Sequence, residues 1–112
     1  VRKTRHSALA GTPLASWLLS RGIARLVVSG IRTEQCCETT TRHASDTGFE
    51  VDYCTDATLT FAMTHAASGE RFEAEAIKRR TELVLDGRFA TVVTVAQALD
   101  RAGRATTSRL AA

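Results

Sequence analysis

The chain has 112 residues, of which 44% are hydrophobic and 24% are charged, and its formal net charge is +3. This length allows one small domain, and the mixture of apolar residues with charges of both signs excludes a disordered chain. The scattered arginines do not indicate a nucleic-acid partner. Because no apolar stretch approaches the ~18 residues of a membrane span, and the basic N-terminus is not followed by an apolar region, we expect neither a membrane segment nor a signal peptide.

Apolar residues follow helical spacing in some parts of the chain and form short extended runs in others. Thr12 is a candidate N-cap of the first helix, and Pro13 suits its first turn. Gly30 follows an apolar run typical of a buried parallel strand, and Gly48 is placed to end the second helix. In chain order, we predict a helix over 12–20, a strand over 24–29, a helix over 33–47, a strand over 49–54, a loop or short helix over 58–69, a helix over 71–85, a strand over 90–95 and a helix over 95–102.

This alternation of helices and strands predicts a three-layer α/β/α fold with a parallel sheet, because parallel strands need crossover connections. Residues 1–112 are assigned to one domain, and the small, polar tail 103–112 is predicted to fray. The long helix in the second half is amphipathic. Its apolar face is predicted to carry Phe72, Ala76, Ile77, Leu83 and Val84.

The three cysteines are Cys36, Cys37 and Cys54. An odd number with two adjacent members is unsuited to a disulfide framework, and the sequence contains neither a CxxC pair nor a cysteine–histidine cluster at zinc spacing. The pattern therefore predicts reduced thiols in a cytoplasmic protein, with no metal and no cofactor.

In open α/β sheets, ligands bind beyond the carboxyl ends of the strands. The turn after the first predicted strand brings Cys36 into the first turn of a helix, where unpaired N–H groups and the positive end of the helix dipole favour a thiolate. The same N–H groups could hold an oxyanion. The alternative is that Cys36 is a small buried hydrophobe, as we predict for Cys37 and Cys54.

Two segments resemble the isochorismatase-like hydrolases. Residues 30–44, GIRTEQCCETTTRHA, followed by Gly48-Phe49 and Asp56-Ala57, resemble the family signature G-x-x-T-x-x-C-V-x-x-T-A-R-x-A with its later G-[YF] and D-A pairs. Residues 1–12, VRKTRHSALAGT, resemble the family's lysine segment, K-x-x-x-S-A-F-x-G-T. The resemblance extends over nearly the whole chain and implies the Rossmann-like fold of that family.

The resemblance also implies roles for individual residues. Cys36 matches the nucleophile and Lys3 matches the essential lysine, whose charge beside a thiol favours the thiolate and can stabilise negative charge on a substrate. A cis peptide bond between Ile31 and Arg32 is implied, which would aim the backbone N–H groups of Arg32 and Cys36 at the oxyanion. The candidates for the substrate pocket are His6, Leu9, Thr33 and Phe61.

The sequence departs from the family pattern at Cys37, Thr41 and Leu9, where the family usually has Val, Ala and Phe. The resemblance places the family's catalytic aspartate and first strand upstream of Val1, so we expect the chain to begin inside the domain. The metal-binding loop of the nicotinamidase branch would lie upstream as well, so no metal is predicted. Asp56 is interpreted as a cap of the loop after its strand.

The resemblance implies a homo-oligomeric hydrolase that cleaves a C–N, amide-type bond of a small molecule. Some branches of the family instead cleave the vinyl ether of isochorismate, and Cys36 favours amides because those branches often replace the cysteine. The alternative is an inactive remnant or a packing module, since this chain lacks the aspartate. A nucleotide-binding module is not supported, because neither a P-loop nor a G-x-G-x-x-G motif is present.

Overall fold

The computed structural model describes the backbone of residues 1–111 and the side chains of residues 1–104. Helices and short strands alternate, and a five-residue π-helical turn precedes the second α-helix. Within that described part, no helix is both long and apolar enough to cross a membrane. The elements are α1 (Leu14–Ser20), β1 (Arg25–Ile31), the π-helical turn (Thr33–Cys37), α2 (Glu38–Thr47), β2 (Glu50–Leu59), β3 (Met63–Thr64), β4 (Arg71–Phe72), α3 (Ala74–Leu85), β5 (Thr91–Val93) and α4 (Val95–Ala111).

Three parallel strands form the main sheet, in the order β1-β2-β5. The register between β1 and β2 shifts near the carboxyl end of β1, because Val28 pairs with Tyr53 whereas Gly30 pairs with Thr58. β3 and β4 form a separate antiparallel hairpin. The predicted α/β class with a parallel sheet is therefore confirmed.

Local contacts explain where two of the helices begin and end. Thr12 Oγ1 accepts the N–H of Leu14 at 3.3 Å and donates to the carbonyl of Ala8 at 2.6 Å, so it ties the start of α1 to the segment before it. Gly48 follows α2 with a φ of 107°, a backbone conformation that side chains with a Cβ rarely adopt. The glycine therefore allows the chain to leave the helix and enter β2.

The main hydrophobic core draws on α1, β1, α2, β2 and α3. Each large apolar side chain that is fully buried contributes about 1.5–3 kcal/mol to the free energy of unfolding. A smaller cluster of Cys54, Val93 and Ala98 lies under α4. The buried members of the main core are Leu9, Leu18, Val28, Cys37, Ala44, Phe49, Val51, Tyr53 and Leu85.

A buried carboxylate joins β2 to α4. Asp52 is 2% exposed and accepts two hydrogen bonds from the guanidinium group of Arg101, at 2.9 and 3.0 Å. The same contact raises the pKa of Arg101. Because a buried carboxylate without a partner is strongly destabilising, this ion pair positions α4 against the central strand.

Two predicted boundaries around the central strand are wrong. β2 continues to Leu59 instead of ending at Cys54, because its later residues pair with β1 beyond the register shift. The segment 58–69, predicted as a loop or short helix, contains the end of β2 and the strand β3. A local sequence pattern does not reveal where β2 ends, because its pairing with β1 depends on residues that are distant along the chain.

The boundaries of the last two helices also differ from the prediction. α3 begins at Ala74 because Arg71 and Phe72 belong to the hairpin. Phe72 is 40% exposed and Leu83 is 78% exposed, so their assignment to the buried face of this helix is wrong. α4 continues to Ala111 rather than ending at Ala102. The fraying of 103–112 stays a prediction, because the side chains from 105 onward and all of residue 112 lie outside the described residues.

Leu85→Ala should lower the free energy of unfolding by about 2–5 kcal/mol, because it leaves a cavity where the side chain is fully buried. Leu83→Ala on the same helix is the matched control, and its cost should stay within about 0.5 kcal/mol. Urea unfolding followed by circular dichroism measures both. Equal losses in the two variants would contradict the described packing of α3.

Candidate functional site

β1 leads into a turn at the carboxyl end of the sheet. The peptide bond between Ile31 and Arg32 is cis, as the resemblance implied, and the π-helical turn follows it. The Arg32 carbonyl accepts the N–H groups of Gln35 at 3.1 Å and Cys37 at 3.2 Å. This arrangement leaves Cys36 half-buried at the surface and places Cys37 in the core.

Hydroxyl groups from β2 anchor the turn on its buried side. The Tyr53 hydroxyl donates to the Thr33 carbonyl at 2.6 Å, and Thr33 Oγ1 lies 2.7 Å from Thr58 Oγ1. Since Thr58 donates its own proton to the Thr55 carbonyl, Thr33 is the donor to Thr58. Burial raises the pKa of Tyr53, which keeps its hydroxyl protonated. These bonds pair the hydroxyl groups of Thr33, Tyr53 and Thr58 under the turn, as buried groups require.

The N-terminal segment brings an ammonium group to Cys36. Lys3 Nζ lies 3.3 Å from Cys36 Sγ and donates to the carbonyls of Arg5 at 2.9 Å and His6 at 3.4 Å. The three N–H donors of the ammonium group therefore each have an acceptor. The positive charge of Lys3 therefore lies within hydrogen-bonding distance of the Cys36 sulfur. The structure thus brings together the two residues that the sequence selected as catalytic.

A second nitrogen faces the same sulfur. His6 Nδ1 lies 3.6 Å from Cys36 Sγ. The segment that carries it is attached to α2, because the N–H of Ala8 donates to Thr40 Oγ1 at 3.0 Å and the Thr40 hydroxyl donates to the His6 carbonyl at 3.5 Å. Thr40 follows Cys36 by four residues, so both lie on the same face of the helix.

A cavity of about 320 Å³ opens beside these groups. Lys3 and Cys36 line it together with Val27 and Ile31 of β1. Both β1 residues are about half exposed, at 49% and 51%, and they supply an apolar wall. A cavity of this size and lining can hold a small organic molecule next to the sulfur.

Three of the four residues predicted for the substrate pocket lie outside the cavity beside Cys36. Leu9 is 5% exposed and belongs to the hydrophobic core. Thr33, the first residue of the π-helical turn, is fully buried. Phe61 is 57% exposed and stacks on the Arg32 guanidinium, whose central carbon lies 5.2 Å from the ring centre. His6 is the pocket candidate that contacts Cys36.

Asp56 caps a helix, so its interpretation as a loop cap is wrong. It lies within β2, and its carboxylate accepts the Cys54 thiol at 3.1 Å and the N–H of Val95, at the start of α4, at 3.2 Å. The bond from Cys54 and then the one from Val95 hold the pKa of Asp56 below its ordinary range. The carboxylate is therefore ionised where it meets the positive end of the helix.

The other two cysteines are buried, as predicted. Burial, followed by the neighbouring Cys36, raises the pKa of Cys37 to about 11. Burial and the bond to Asp56 raise the pKa of Cys54 to about 11 as well. Both thiols are thus neutral near pH 7. All three cysteines are free.

A buried carboxylate directly after the cysteines is a feature that the sequence did not reveal. Glu38 is 7% exposed and accepts hydrogen bonds from Arg42 at 3.2 Å, Arg80 at 2.5 Å and Thr81 at 3.1 Å. Arg42 lies four residues along the same helix, which is a spacing visible in the sequence. Arg80 and Thr81 come from α3, and their contact with Glu38 depends on tertiary packing.

A larger cavity, of about 570 Å³, lies between the β3–β4 hairpin and α3. Met63, Phe72 and Ile77 form its apolar wall, and Glu34 and Arg80 its polar part. Across the residues that the structure describes, no group of three or more histidine, cysteine or acidic side chains is placed to hold a metal ion.

Comparison with known proteins identifies the family to which this site belongs. A family model described as the isochorismatase domain matches residues 1–97. The chain belongs to the isochorismatase family. This match includes the lysine segment, both cysteines of the turn and the whole parallel sheet.

Individual members of the isochorismatase family support the assignment. The isochorismatase family protein YrdC of Bacillus subtilis (strain 168) is 31% identical over 100 residues, which cover 89% of this chain and 53% of that protein. Nicotinamidase 3 of Arabidopsis thaliana is 44% identical over 61 residues, covering 54% of this chain and 31% of that protein. The crystal structure of an isochorismatase-family protein from Chromobacterium violaceum ATCC 12472 has a TM-score of 0.85 at 33% identity, covering 91% of this chain and 52% of that one. The chain thus spans about half the length of these relatives, or less.

The raised pKa values of the buried thiols predict a loss of stability in alkali. The Cys37 thiol ionises from about pH 9 in the unfolded chain but only near pH 11 in the folded one. Its contribution to the free energy of unfolding is therefore complete below pH 9 and is lost as the pH rises to about 11. At about 1.4 kcal/mol per pKa unit, the part due to Cys37 is about 2–3 kcal/mol. Urea unfolding between pH 8.5 and 10.5 should show a shallower decline for Cys37→Ala than for the wild type.

Val28→Ala is the control for this comparison. It removes buried apolar volume from the same core without removing a titrating group, so its stability should decline with pH as steeply as that of the wild type. If Cys37→Ala and Val28→Ala had identical pH dependence, the assignment of the alkaline loss to the Cys37 thiol would be wrong.

Proposed function

We propose that the chain is the cysteine-bearing part of a hydrolase that cleaves a C–N, amide-type bond of a small molecule. The observation that carries this proposal is the 3.3 Å contact between Lys3 Nζ and Cys36 Sγ at the edge of an open cavity. A thiolate is a strong nucleophile, and a fixed ammonium group can stabilise both the thiolate and the negative charge that forms on an attacked carbonyl.

In the proposed reaction, Cys36 Sγ attacks the carbonyl carbon and forms a C–S bond. The C–N bond then breaks, and the amine leaves with the proton that the Cys36 thiol gave up. Water hydrolyses the thioester to release the acid, and one of its protons restores the thiol. The backbone N–H groups of Arg32 and Cys36 are proposed as oxyanion donors. Similarity to a protein named as a nicotinamidase supports the amide class of substrate over the vinyl ether of isochorismate.

The proposed catalytic group includes an aspartate, which we expect upstream of Val1 from the family resemblance. With that aspartate in place, we expect an active hydrolase. Without it, the alternative is an inactive remnant or a packing module. A homo-oligomer and a cytoplasmic location stay predictions.

Iodoacetamide should alkylate Cys36 of the 112-residue chain at pH 7 about tenfold faster than a free model thiol, because the ammonium group of Lys3 lies 3.3 Å from its sulfur. Cys37 and Cys54 should react far more slowly, since both are buried. Peptide mapping by mass spectrometry assigns the labelled residue. A Cys36 that reacts no faster than the model thiol would remove the basis for an activated nucleophile.

Lys3→Met should slow the alkylation of Cys36 at pH 7 about tenfold, because it removes the charge next to the sulfur while keeping an unbranched side chain of similar length. Lys78→Met is the matched control, since Lys78 lies on α3 and is the other lysine of the sequence. An equal effect of both variants would show that net charge, rather than the contact with Cys36, sets the rate.

A fusion tests whether the aspartate is the missing requirement. Joining an aspartate-bearing N-terminal segment of a family member to Val1 should produce amidase activity that Cys36→Ala abolishes. A folded fusion without activity on a panel of simple amides would support the inactive alternative.

A further inference from the structure

The segment that carries Lys3 is folded back on itself. Lys3 Nζ donates to the carbonyls of Arg5 at 2.9 Å and His6 at 3.4 Å, so the end of this side chain is tied to its own backbone. Residues 1–6 are exposed, and Ser7, at 5% exposure, is the first buried residue that follows them. The placement of Lys3 at the sulfur therefore depends on how the chain is fixed at residues 6–8, where it enters the folded body.

The contacts at residues 6–8 all lead to one face of α2. The Thr40 side chain bonds to the backbone on both sides of Ser7, at 3.0 and 3.5 Å. Ser7 Oγ itself lies 2.7 Å from His43 Nδ1. Thr40 and His43 follow Cys36 by four and seven residues. The sulfur and both anchoring side chains therefore lie along one stripe of the helix.

His43 supplies the second of two points that set the direction of the segment. A segment that is held at Thr40 alone is free to turn about that point. A second attachment, almost one helical turn further along, fixes the line that leads back to Cys36. Ser7 also joins this attachment to the core, because its Oγ accepts the N–H of Leu9 at 3.1 Å and Leu9 is 5% exposed.

We propose that His43 is a positioning residue that holds Lys3 at Cys36 through its hydrogen bond to Ser7. This inference rests on the proposed function, which depends on the contact between Lys3 and Cys36. His43 lies about 10 Å along the helix from Cys36, too far to contact the group that the sulfur attacks. In either tautomer of a neutral imidazole, Nδ1 forms a hydrogen bond with a hydroxyl group, so the ring acts through its position. The family signature quoted above leaves position 43 open.

The rate of iodoacetamide labelling at Cys36, measured at pH 7 on the 112-residue chain, reports the placement of Lys3. His43→Leu cannot bond to Ser7, so it should slow labelling about threefold, which is part of the loss expected for Lys3→Met. His43→Asn places an amide oxygen or nitrogen near the position of Nδ1 and keeps the bond. Its rate should therefore stay within about 1.5-fold of the wild-type rate.

His65→Leu is the matched control for the change from histidine to leucine. The His65 ring is exposed and bonds to Ser68 between β3 and β4. Its loss should leave the labelling rate at the wild-type value. If His43→Leu and His43→Asn were equally slow, the hydrogen bond to Ser7 would not be the cause, and the proposal would be overturned.

A double-mutant cycle with Lys3→Met separates positioning from a general disturbance of α2. If His43 acts through Lys3, His43→Leu should change the rate by less than about 1.5-fold once Lys3 has been replaced. An equal slowing in both backgrounds would overturn the proposal, since it would show that His43 acts on the sulfur independently of Lys3. Circular dichroism checks that each variant is folded.

Ser7→Ala removes the other partner of the same bond and gives an independent measurement if His43→Leu does not fold. It should slow labelling at least as much as His43→Leu, because the N–H of Leu9 loses its acceptor as well. This slowing should also vanish in the Lys3→Met background. A wild-type rate for folded Ser7→Ala would contradict the proposal.

The outcomes separate this inference from the proposed function. If wild-type Cys36 reacts faster than a free model thiol and Lys3→Met slows it, but His43→Leu does not, the proposed function stands and only the role of His43 fails. If wild-type Cys36 reacts no faster than the model thiol, the proposed function fails, and this inference fails with it.

Discussion

The hydrogen bond from the Tyr53 hydroxyl to the Thr33 carbonyl, buried between the central strand and the turn, sets the position of everything at the candidate site. Thr33 begins the π-helical turn, and its side chain is held through Thr58 as well. The turn carries Cys36, and α2 continues from it to carry Thr40, to which the N-terminal segment is attached. The strand β2 therefore determines where Cys36 Sγ meets Lys3 Nζ and His6 Nδ1, although none of these three atoms belongs to β2.

Local patterns were sufficient to predict the class of fold and the place of Cys36 in it. The apolar run before Gly30 and the helical spacing after it place Cys36 at a strand-to-helix turn, which is where parallel sheets present their ligands. Lys3 could be selected only by resemblance, because a lysine near a terminus has no distinctive local pattern. The structure then brings the two residues within 3.3 Å.

Features that depend on distant pairing could not be predicted in this way. The register shift opposite Val28 and Gly30 lengthens β2 and brings Thr58 under the turn, yet nothing within residues 54–59 indicates it. Glu38 looks like a surface residue of an amphipathic helix until α3 covers it with two further partners. His6 could be considered for the pocket from its place beside the lysine segment, but the direction of its ring follows from the attachment of that segment to α2.

The π-helical turn gives two adjacent cysteines opposite environments, and this has a consequence for oxidative damage. An oxidant reaching Cys36 would convert a half-buried sulfur to a sulfenic or sulfinic acid next to Lys3, where new negative charge has a partner. The same change at Cys37 would introduce a polar or charged group into the hydrophobic core, at a cost to stability. Since the half-buried sulfur is the more accessible of the two, oxidation would modify Cys36 before it disturbed the fold.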